Sequence, residues 1–64
     1  MTEQQWLDKA VLHLAKRFDQ PPAQVLGLAK IIMKEEMEAS KTPLANEWQP
    51  PEEAVDTELS YWID

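Results

Sequence analysis

The sequence predicts an all-α fold: a small helical hairpin of two main helices, followed by a third short helix or a partly ordered acidic tail. Three observations lead there. Apolar residues recur at three- and four-residue spacing over residues 6–18 and 25–37, the period of a helix with one buried face. No stretch alternates with period two, as a half-buried strand would. Prolines stand at 21, 22, 43, 50 and 51, where they bound the apolar runs without interrupting them.

Helix 1 is predicted to open at Thr2, which with Gln5 three residues later forms a capping box; Met1 and Trp6 are placed for a hydrophobic staple. Trp6, Leu7, Ala10, Val11, Leu14 and Phe18 fall on one stripe. Lys9, His13, Lys16 and Arg17 make a basic flank beside it, and Leu12 lies outside both groups. Asp19-Gln20-Pro21-Pro22 ends the helix, because a residue before proline is driven from the α region while proline suits a first helical turn. Helix 2 is predicted from Pro22 to Ser40, with Val25, Leu26, Leu28, Ala29, Ile32, Met33 and Met37 as its apolar face and Ile31 pointing elsewhere. Gly27 costs about 1 kcal/mol relative to alanine at mid-helix, which points either to close approach by helix 1, the favoured reading, or to simple drift at an unconstrained position. Thr42-Pro43 stops helix 2. Residues 44–51 read as an extended connector with room for one helical turn after Pro43. Pro51, followed by Glu52 and Glu53, is a helix start, and Val55, Leu59, Trp62 and Ile63 continue at helical spacing. Residues 1–42 therefore form the hairpin, and residues 43–64 an acidic, aromatic-containing segment that packs on it or folds on binding.

Sixty-four residues make one small domain with a limited core. The absence of cysteine removes disulfides, thiolate nucleophiles and cysteine-held metals. Gly27 is the only glycine, so phosphate-cradling loops, dinucleotide fingerprints and nucleophile elbows are excluded as well. Glu3 stands where a secretory leader would be basic, and no apolar run approaches the ~20 residues of a membrane span. A soluble, cytoplasmic protein without membrane contact is expected.

Charge is divided sharply along the chain. Residues 1–34 carry Lys9, Lys16, Arg17, Lys30 and Lys34 against Glu3, Asp8 and Asp19, a net +2. Residues 35–64 carry nine carboxylates against Lys41 alone, a net −8, and the whole chain stands at −6. Such asymmetry points to partner binding before catalysis. His13 is the lone histidine and has no composition around it from which a triad or zinc site could be built. Ser40 and Ser60 lack a base and an oxyanion site. Glu35, Glu36 and Glu38, or Glu52, Glu53 and Asp56, read as hydrated faces, since they lack the loop spacing of a calcium site. No enzyme, no cofactor and no metal is expected.

Leu14, Ala15, Phe18, Val25 and Leu28, with Pro21-Pro22 at the start of the second helix, resemble the apolar positions of the helix-turn-helix motif over about 20 residues. Asp19 stands where the motif's turn has glycine, and Gln20 replaces the aliphatic residue that follows. The resemblance implies a recognition face of Ala23, Gln24, Gly27, Lys30, Ile31 and Lys34, which holds few groups able to read base edges. The acidic net charge also opposes duplex affinity.

The reading that follows is a small non-enzymatic regulatory or inhibitory protein that binds a basic surface of a partner protein through Trp48, Glu52, Glu53, Asp56, Glu58, Tyr61 and Trp62. Tryptophan and tyrosine would anchor the contact and carboxylates would steer it. Carboxylates that imitate nucleic-acid phosphates would make that partner a nucleic-acid-binding protein and this chain a DNA mimic. The alternative is a helix-turn-helix-like DNA-binding transcriptional regulator with an acidic tail, using Lys9, Lys16, Arg17, Lys30 and Lys34. A homodimer through Leu12 or Ile31 is a further option.

Overall fold

The computed structural model describes residues 2–62, with side-chain surroundings for residues 2–61. Thr2 adopts extended backbone and its hydroxyl accepts from the Gln5 amide, while the Gln5 side chain accepts from the Thr2 amide. This reciprocal cap opens α1, Glu3–Phe18. The Met1 half of the expected staple lies outside the described residues. α1 ends where Asp19 turns left-handed at φ 54° and its amide bonds to the Ala15 carbonyl. Aspartate thus takes the backbone that glycine takes more readily, a conformation its short polar side chain tolerates. After Gln20 and Pro21, α2 runs Pro22–Ser40 and closes with a second left-handed residue, Lys41 at φ 58°.

The connector holds one 3-10 turn, Ala45–Glu47, after Pro43. Thr42 stabilises it twice, donating its hydroxyl proton to Glu47 Oε2 and accepting from the Leu44 amide. α3 then spans Pro51–Trp62, with Glu52 and Glu53 in its first turn, where carboxylates complement the helix dipole. The architecture is all-α, as expected, and the third element is a helix that docks on the first two.

Each helix touches both others, around a core of Trp6, Leu7, Ala10, Val11 and Leu14 from α1, Val25, Ala29 and Ile32 from α2, and Ala54, Val55 and Leu59 from α3. The connector contributes Ala45 and Trp48. Trp6 and Trp48 meet edge to face with ring centroids 5.4 Å apart. Their indole N–H groups donate to the Gln49 and Thr42 carbonyls respectively, so both rings are buried without a polar orphan.

Three expectations about packing are corrected. Phe18, placed on the buried stripe, is exposed, because it is the last residue of α1 and the chain turns away beneath it. Leu26 stands at the rim of the core and is also exposed. Gly27 is not a close-approach site: a Cβ built there meets nothing within 4 Å. Leu12 and Ile31 are both more than half exposed, as their positions off the apolar stripes require.

Candidate interaction surface

Among the described residues, no trio of histidine or carboxylate side chains is arranged to hold a metal ion. No helix there is long and apolar enough to cross a membrane. What the fold builds instead is a division of the α3 carboxylates between two neighbours. On the side facing α1, Asp56 Oδ1 accepts from His13 Nε2 at 2.9 Å and from Arg17 Nη1 at 2.8 Å. A carboxylate oxygen only accepts, so His13 carries its proton on Nε2. The His13 hydrogen bond, aided by the His13 and Arg17 charges, holds the Asp56 carboxyl below its ordinary value. One turn earlier, Glu52 lines a shallow groove with Lys9, Leu12, His13 and Lys16.

On the side facing α2 the carboxylates meet carboxylates. A cleft of about 270 Å³ between α2 and α3 is lined by Glu35, Glu36 and Glu58, with Ile32, Ala39 and Ala54 as its apolar surface and Gln49 and Thr57 at its edge. Glu36 Oε1 accepts from the Gln49 amide, which pins the connector to α2. Neither ion pair found among the described residues involves Glu35 or Glu58. Glu53, Thr57 and Tyr61 follow one another at four-residue intervals and so share one stripe of α3 beside this cleft. Tyr61 is 72% exposed at the end of that stripe.

The expected partner-binding set is therefore separated by the fold. Trp48 is buried at 6% and cannot serve as a surface anchor, a correction that follows from its packing against Trp6 and its bond to Thr42. Asp56 is occupied by α1, and Glu52 adjoins the α1 lysines. Glu58 faces α2 in the cleft, while Glu53 and Tyr61 are exposed on the stripe beside it; the Trp62 side chain and Ile63 lie outside the described residues. Glu35 and Glu36, expected as a hydrated face, line the cleft with Glu58. The available signal was their distance of three and four residues from Ile32, which puts them on the edge of the buried face.

The alternative cationic set is divided too. Arg17 is bound by Asp56, and Lys9 and Lys16 lie beside Glu52, so α3 offsets the charge of the α1 flank. Lys30 and Lys34 stand exposed on α2 with Ala23, Gln24, Gly27 and Ile31. Compared with protein-family models, with curated proteins and with solved structures, the chain matches none.

Proposed function

We propose that this chain is a non-enzymatic regulatory or inhibitory protein that holds a basic surface of a partner protein at the cleft between α2 and α3. The observation that supports it is the meeting of Glu35, Glu36 and Glu58 over an apolar floor with no cation among the lining residues. A lysine or arginine of the partner fits this combination. Its aliphatic stem would lie along exposed Ala39 while its charged head reaches Glu35 and Glu58. Glu53 and exposed Tyr61 extend the contact along α3, with the aromatic ring as the apolar anchor.

The test is capture from cell lysate by the full chain and by a Glu35→Lys/Glu58→Lys variant, followed by association kinetics on the retained protein at two salt concentrations. A basic protein held by the native chain should bind the variant at least about tenfold more weakly, chiefly through slower association and a shallower salt dependence. Equal retention by both chains overturns the reading. Nucleic acid retained through Lys30 and Lys34 would replace it with the DNA-binding one.

A further inference from the structure

A second surface lies on the opposite flank of the hairpin, and its chemistry is different. Between α1 and the start of α2 runs a groove of about 390 Å³, lined by Val11, Leu12, Pro22, Ala23 and Leu26 with Asp8 at one edge. Leu12 is 57% and Leu26 39% exposed, a continuous apolar seam on a chain whose composition is otherwise strongly charged. Leu12 also sits at the middle of a charged ridge. Asp8 precedes it by four residues and Lys16 follows it by four, so all three project from one stripe of α1.

We infer that this face joins two copies of the chain, with the α1 helices antiparallel about a two-fold axis passing beside Leu12. An antiparallel pair centred there brings residue 12 + n of one copy opposite residue 12 − n of the other. Lys16 of each copy then meets Asp8 of its mate, twice across the interface, and Leu12 meets Leu12. The two grooves face each other, and Ala23 and Leu26 of both copies close the apolar seam. A parallel pairing would set Lys16 against Lys16 and Asp8 against Asp8, so the charges select the antiparallel register. α1 is close to charge balance, with Lys9, Lys16 and Arg17 against Glu3 and Asp8, whereas α3 carries only carboxylates. Ile31, the other exposed aliphatic residue considered for pairing, has neither feature. Gly27 and Glu35 flank it at four residues, and it does not line this groove. This inference does not depend on the acidic cleft, which lies between α2 and α3.

Sedimentation equilibrium on the full chain tests it. The native protein should show a concentration-dependent mass rising from 7.4 kDa toward twice that value. Leu12→Glu should weaken dimerisation at least about tenfold, and circular dichroism should show its helices intact because Leu12 is outside the core. Asp8→Lys and Lys16→Asp should each weaken the dimer, and the Asp8→Lys/Lys16→Asp double variant should restore it to within about threefold of the native Kd. A native chain that stays monomeric at ~1 mM overturns the inference. So does a dimer indifferent to Leu12→Glu, or a double variant no tighter than the singles.

Discussion

Gly27 occupies a helical backbone position where nothing approaches its missing side chain and no left-handed torsion requires it. Replacing it by alanine should therefore stabilise the protein by about 0.5–1 kcal/mol, through a stiffer unfolded chain and a better helix, read as a higher urea midpoint at unchanged slope. A loss of stability would show that another surface covers this site. Asp56 gives a prediction of a different kind. Its carboxyl is held below the ordinary value by His13 and Arg17, so the clasp between α3 and α1 favours the folded state above the unfolded carboxyl's pKa near 3.8 and is lost as pH falls through the lower folded value. Asp56→Asn should lower stability at pH 7, and the difference from the native chain should shrink as pH drops below about 4 in urea titrations at a series of pH values. His13 shows what sequence leaves hidden at this scale. Its place on a basic flank was legible from helical spacing, but Asp56 lies 43 residues away and only the docking of α3 supplies it.

The bounds of the helices were readable because each is marked by local chemistry: Thr2 with Gln5, Pro21 before Pro22, and Pro51 ahead of two glutamates. Trp48 was not, since an indole serves equally as a surface anchor and as core, and nothing within a turn of it decides between them. The decision comes from Trp6, which grips the connector at Gln49 while Trp48 reaches back to Thr42. The connector and α3 are consequently structural parts of the fold. A fragment of residues 1–42 would lose the buried contacts of Trp48, Ala54, Val55 and Leu59 and bare Trp6, Leu14 and Ile32. It should show little helical signal and no cooperative thermal transition by circular dichroism. A cooperatively melting fragment would mean that the hairpin is a domain in its own right.

Over the whole molecule, the division of charge along the sequence becomes a division between faces. The separation into a basic first half and an acidic second half was legible in composition. The pairing of α1 cations with the α1-facing side of α3 was not, because it depends on how the helices are rotated about their axes. What remains uncompensated is the acidic cleft, with the apolar seam of Leu12 and Leu26 on another side. The two left-handed caps add a thermodynamic point. Asp19 and Lys41 hold a conformation that favours glycine, while the single glycine sits mid-helix, so the sequence keeps three small and removable costs. A chain with that much unused stability is one whose folded population responds to whatever occupies it, by an amount RT ln(1 + [L]/Kd) for each bound species. Its abundance in the presence of a binding mate, and its loss when that mate is scarce, would follow from mass action alone.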